Sequence, residues 1–185
     1  MSYPEYANVN GTRYKLNTDF RIGIKCLEVA DDPGICDEER ALAVIYMLFG
    51  FIPDNEPLHP FLDKAQIFLQ CGKTYEEQAA KKADMDFNHD RGYINASFMS
   101  DYHIDLNSVN MHFWMFCELI QGLTENSVLS RVREIRNYNL SDIKDAKTRS
   151  KIAKAQADLA LPVKHTREEI DALMEFEQLF GGGNT

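Results

Sequence analysis

The chain has few of the features that usually announce an activity. Its four cysteines, Cys26, Cys36, Cys71 and Cys117, contain no CxxC pair, which excludes a zinc knuckle or a dithiol redox motif written in local spacing. No HExxH, GxSxG or glycine-rich phosphate loop occurs, and no cysteine stands beside a histidine. The longest apolar run, 41–52, is broken by Gly50 and stopped by Pro53, well short of the roughly 20 residues that a bilayer demands. The start, MSYPEYANVNG, lacks a charged segment followed by an apolar one, so no signal peptide is read there. The net charge of −9 leaves no general surplus of lysine and arginine for neutralising phosphates. These gaps predict a non-enzymatic protein with no cofactor, no metal, no nucleic-acid partner and no membrane, its thiols reduced in a cytoplasm.

What is present is helical periodicity. With 185 residues, 44% hydrophobic and 26% charged, the chain has the balance of one globular domain, 1–185. A small N-terminal β-hairpin is expected around Asn10-Gly11, a dipeptide suited to the positive φ angles of a tight turn. Beyond it the pattern is mainly α, a multi-helix single domain. Thr18 is the expected cap of a helix over 19–30, and Asp37 of a second whose apolar residues run nearly all round. A third runs over about 61–71 and closes on Gly72. The polar stretch 73–83 reads as a mobile linker. A fourth helix starts at Asp86 or Asp90 and reaches Tyr102. A fifth, capped by Asn107 or Ser108, extends to Gly122 with Phe113, Phe116, Cys117 and Ile120 on one face. Thr124 opens the next, with Val128, Leu129, Val132 and Ile135 inward and Arg131, Arg133 and Arg136 mostly outward. Ser141 caps a basic helix that must end before Pro162. The last opens on a capping box, Thr166 and Glu169, and stops at Gly181, leaving 181–185 as a flexible tail.

Two clusters need a double reading. Asp86, Asn88 and Asp90 imitate the start of a calcium loop, but the positions that would need glycine and a bidentate glutamate hold Arg91 and Ser97. Carboxylates at a helix N-terminus account for them more simply. The enzyme alternative is a metal-dependent hydrolase built from Asp84, Asp86, Asp90 and a histidine. Among the aromatics, Phe113 and Phe116 share an apolar face and read as core, whereas Trp114 projects about 100° away and reads equally as core or as interface anchor.

Charge is unevenly spread. From Arg131 to Lys154 there are eight basic and three acidic residues, a balance of +5; Ala155 to Thr185 holds two basic and six acidic, a balance of −4. The plain reading is two solvated helix faces of opposite sign that attract each other within one protomer or between protomers.

The segments DFNHDRGYINASFMSDYHIDL, HFWMF, LSRVREIRNYNLSDIKDAKTRSK and the late ALP, with LNTDFR and FLQCGK upstream, resemble a family of small siphophage proteins, the phage gene-product-fifteen family. The resemblance covers about residues 14–162. It departs at His103, where the pattern has glycine, and at Met115, where it has lysine. It implies a role in tail morphogenesis in the host bacterial cytoplasm, since such proteins are encoded beside the tape-measure protein. The implied function is a tail assembly chaperone that binds the tape-measure protein and self-associates, with the major tail protein as a further partner. Trp114, Arg131, Arg133 and Arg136 are the candidate partner-binding residues, an apolar anchor beside a basic rim. The alternative within the same context is a structural tail completion or connector component of the virion.

Overall fold

The computed structural model describes residues 2–54, 56–73 and 83–180. The expected linker core, 74–82, and the expected tail, 181–185, lie outside the described residues. The fold is mainly α, with a two-stranded antiparallel hairpin at the N-terminus. The helices gather into two compact units, Met1–Thr74 with Val163–Thr185, and Tyr75–Pro162.

The first unit begins with β1 (Tyr6–Val9) and β2 (Thr12–Lys15), paired from Tyr6↔Lys15 to Val9↔Thr12. Asn10 and Gly11 have φ of 50° and 86°, and the Gly11 N–H donates to Asn8 Oδ1 at 2.9 Å. Two positive φ angles in a two-residue loop match the right-handed twist of the strands. Helices α1 (Phe20–Ala30), α2 (Asp37–Phe49) and α3 (His59–Leu69) follow. Val44, Ile45, Leu48 and Phe49 of α2 are buried, while Tyr46 is exposed. Phe61 of α3 is fully buried with ring centroids 5.2 Å from Phe49, 5.3 Å from Tyr14 and 5.9 Å from Phe51. The Phe49 and Phe51 rings meet Phe61 nearly edge-on, which suits the aromatic quadrupole. The hairpin is tied to α2 by the Asn17 N–H, which donates to Leu48 O at 2.8 Å.

In the second unit α4 (Arg91–Tyr102) packs against α5 (Phe113–Gln121) and α6 (Val128–Asn137), and α7 (Ala146–Asp158) packs on α6. Phe98 and Phe116 are fully buried and stacked at 5.3 Å, so α4 and α5 share one aromatic core. Tyr102 donates its hydroxyl to Leu119 O at 2.9 Å, close to Gly122, where an added Cβ would meet the Tyr102 hydroxyl oxygen at 3.1 Å. The last helix, α8 (Arg167–Phe180), belongs to the first unit. Its capping box is as expected: the Thr166 N–H donates to Glu169 Oε2 at 3.0 Å and the Glu169 N–H to Thr166 Oγ1 at 3.3 Å. Lys164 pairs with Asp31 and Arg167 with Glu39, on the first unit's own residues.

Several caps differ from expectation. Asp19, not Thr18, caps α1, accepting from the Arg21 N–H at 2.8 Å. Cys36, not Asp37, precedes α2, and its N–H donates to Glu39 Oε2 at 3.3 Å. Helix α5 starts later than read, because Asp105 folds a turn over Asn107 and Ser108; His112 is the cap, its Nδ1 accepting from the Trp114 N–H at 3.1 Å. Ser127 caps α6 instead of Thr124, whose N–H and hydroxyl both donate to Asp101. Asp145 caps α7, and Ser141 lies in a short 3₁₀ turn, Leu140–Asp142.

His103 ends α4 with φ 57° and ψ 32°, the left-handed conformation that glycine adopts without a Cβ penalty. This is the position at which the resemblance set out above leads one to expect glycine. His103→Gly is therefore expected to stabilise the protein by about 0.5–1 kcal/mol, because it removes a left-handed penalty of roughly 1–2 kcal/mol and glycine's greater loss of chain entropy offsets only part of that. Urea unfolding measures this, and an unchanged or lowered midpoint would contradict it.

The four cysteines differ in access: Cys26 is buried, Cys71 and Cys117 are half-buried, and Cys36 is exposed. Burial pushes the Cys26 thiol up to about 12, so little thiolate forms there near neutrality. Alkylation of native protein should label Cys36 first and Cys26 only on unfolding. Mass mapping checks the order, and early labelling of Cys26 would refute its burial.

Candidate functional site

The stretch that carries the candidate residues is α5, α6 and the aspartate-rich loop before α4. On α6, Leu129, Val132 and Arg136 fall at i, i+3 and i+7, which puts an arginine on the same face as two core residues. The structure follows that spacing. Arg136 is inward, its side chain only 7% exposed, against an Asp90 side chain that is 0% exposed. Arg136 Nη1 donates to Asp90 Oδ2 at 2.7 Å and Nη2 to Oδ1 at 2.8 Å, a two-pronged pair. The same guanidinium donates from Nη1 to Asp84 O at 2.9 Å and from Nε to Leu159 O at 2.7 Å. Arg136 is thus removed from the expected rim; it is a structural cation holding the 83–90 loop, the start of α4 and the exit of α7.

Arg133 is partly committed as well. Its Nε donates to Asp84 Oδ1 at 3.1 Å, while Asn137 donates to Asp84 Oδ2 at 2.9 Å. Arg131 is exposed and has no side-chain partner among the described residues. Trp114 is half-buried, its ring edge-on to His112 with centroids 6.3 Å apart, and Met115 beside it is 39% exposed. Val128, expected inward, is exposed because it is the first residue after the Ser127 cap.

The aspartates have settled roles. Asp86 Oδ1 accepts from the N–H groups of Asn88 and His89 at 2.9 and 2.8 Å, and Asp90 Oδ2 accepts from the Asp86 N–H at 3.0 Å. Asp90 therefore faces Arg136 and makes no cap for α4. Among the described residues no group of three or more histidine, cysteine or acidic side chains is placed to hold a metal ion.

Burial alone would raise the Asp90 carboxyl, but the Arg136 hydrogen bonds, the Asp86 N–H and the nearby positive charge outweigh it and hold the group below its ordinary value. Arg136 is pushed above its ordinary value, chiefly by its hydrogen bond to Asp90. A second buried link, Ser97, donates its hydroxyl to Tyr93 O at 2.7 Å and accepts the Leu129 N–H at 2.9 Å, fixing α4 against the first turn of α6.

The family model described as "Bacteriophage Gp15 protein" matches residues 3–161. The chain belongs to the bacteriophage Gp15 family. The match runs from the hairpin through α7 and stops before α8. No curated protein and no solved structure matches the chain. This Gp15-family member is a bacteriophage protein, and no helix among its described residues is long and apolar enough to cross a membrane.

Asp90→Asn should cost about 3–5 kcal/mol, since it leaves a buried arginine without its countercharge. The pH dependence follows from the lowered carboxyl. Its contribution is complete above the unfolded value of about 3.9 and is lost as pH falls through the lower folded value. Urea unfolding near neutrality and in acid, on wild type and Asp90→Asn, isolates this part. Equal acid sensitivity of the two proteins would refute it.

Proposed function

We propose that this protein is a tail assembly chaperone, a non-enzymatic protein that covers helical segments of the phage tape-measure protein until tail-tube subunits take their place. Membership of the bacteriophage Gp15 family over 3–161 is the observation that carries the reading. The family resemblance set out above supplies the tail-assembly context. The second unit adds physical support. Its α5 presents half-buried Trp114 beside exposed Met115, and its α6 adds the exposed Arg131. Met115, standing where the family pattern has lysine, gives this helix face apolar area in place of a charge. Such a surface suits the apolar stripe of an amphipathic helix, with aromatic anchors supplying most of the energy.

Co-expression of tape-measure protein followed by pull-down is the direct test. Trp114→Ala is expected to weaken binding by about 2 kcal/mol, whereas Arg131→Glu should act mainly on the association rate and its salt dependence. Thermal melting confirms that each variant is folded. Failure of folded wild type to recover tape-measure protein would end the chaperone reading. Stoichiometric presence in finished virions would replace it with the tail completion or connector role.

A further inference from the structure

Helices α7 and α8 carry charged stripes of opposite sign that match in length and spacing. On α7, Lys147, Lys151 and Lys154 are all exposed and lie at i, i+4 and i+7, one face of the helix. On α8, Glu168, Asp171 and Glu175 are all exposed and lie at i, i+3 and i+7. Each stripe spans seven residues, about 10 Å of helix axis. Read backwards, the lysine steps become three and four, the same order as the acidic steps read forwards. None of the six side chains is ion-paired among the described residues.

We propose that α7 of one copy docks antiparallel on α8 of a second copy, pairing Lys154 with Glu168, Lys151 with Asp171 and Lys147 with Glu175. The occupant is a second copy because each chain carries both stripes and leaves both exposed and unpaired. Helix α8 is already anchored within its own unit through Lys164–Asp31, Arg167–Glu39 and Ile170, whose Cδ1 would lie 3.4 Å from a Cβ added at Gly34. Helical spacing sets the acidic stripe on the side away from Ile170. Met174, 56% exposed, flanks that stripe and gives the contact an apolar edge. Antiparallel pairing also opposes the two helix dipoles favourably. The inference stands apart from the tape-measure reading, whose residues are on α5 and α6.

Salt gives the contact a distinctive sign. At a net charge of −9, copies repel one another overall, so added salt would ordinarily favour association. Docking through matched stripes reverses this, because screening weakens the local attraction. Sedimentation equilibrium on the full chain measures it. The association constant is expected to fall at least about tenfold between about 0.05 M and about 0.5 M salt. The triple variant K147E/K151E/K154E should lose association, as should E168K/D171K/E175K. Mixing the two variants should restore it, since each then supplies the stripe that the other lacks. The substituted positions are exposed, and circular dichroism confirms folding. Wild type that stays monomeric, association that strengthens or holds with salt, or a mixture that stays apart would each overturn the proposal.

Discussion

The second unit depends on one buried ion pair. Asp90 and Arg136 are 46 residues apart, and the arginine also reaches Asp84 O, 52 residues away, and Leu159 O, 23 residues away. A guanidinium taken out of water is costly unless its donors are matched, and here Nε, Nη1 and Nη2 all find acceptors. Such a pair contributes little net stability compared with apolar residues of the same shape. Removing one partner is costly, because it leaves the other charge buried alone. The 83–90 loop, the start of α4, the end of α6 and the exit of α7 satisfy the arginine together, and any misregistered packing leaves a buried charge alone. Gln156 reinforces the arrangement from α7, donating to Ile135 O at 2.9 Å and Tyr138 O at 2.8 Å, carbonyls at and just beyond the end of α6.

That constraint redraws the candidate partner surface. Four positions gave an anchor and a basic rim when read as sequence, yet Arg136 is buried and Arg133 is shared with Asp84. What is left for a partner is Trp114 with Met115, and Arg131. A further exposed positive face of the second unit is on α7, where Lys147, Lys151 and Lys154 stand together. An apolar anchor on α5 and a lysine stripe on α7 are separate devices, able to serve separate contacts.

The hairpin, the helix count and the aromatic core were legible because each depends on neighbours within a few residues. Asn10-Gly11 fixes its own turn, Thr166 and Glu169 close their own box, and Phe113 and Phe116 fall on one face by spacing alone. The helix starts were less legible because polar residues compete for the cap and distant groups decide among them. Thr124 was an acceptable cap until Asp101, 23 residues upstream, took both its donors. Ser108 was another until Asp105 drew it into a turn. The ion pair was not read at all, although a signal existed: Arg136 completes the spacing of Leu129 and Val132, and a charge on a core face requires an opposite charge elsewhere. Asp90 could then have been sought among the aspartates that imitated a calcium loop.

The same residues explain why that imitation misleads. Alternating carboxylates look like ligands because both a cation site and a helix entrance need oxygen atoms near backbone N–H groups and positive charge. In this chain the positive charge is a guanidinium carried by α6, and the oxygens divide between it and the N–H groups of Asn88 and His89. A side chain that is already charged and tethered can fill the role without assembling a ligand set. The aspartate run is therefore best understood as half of a joint whose other half lies on α6.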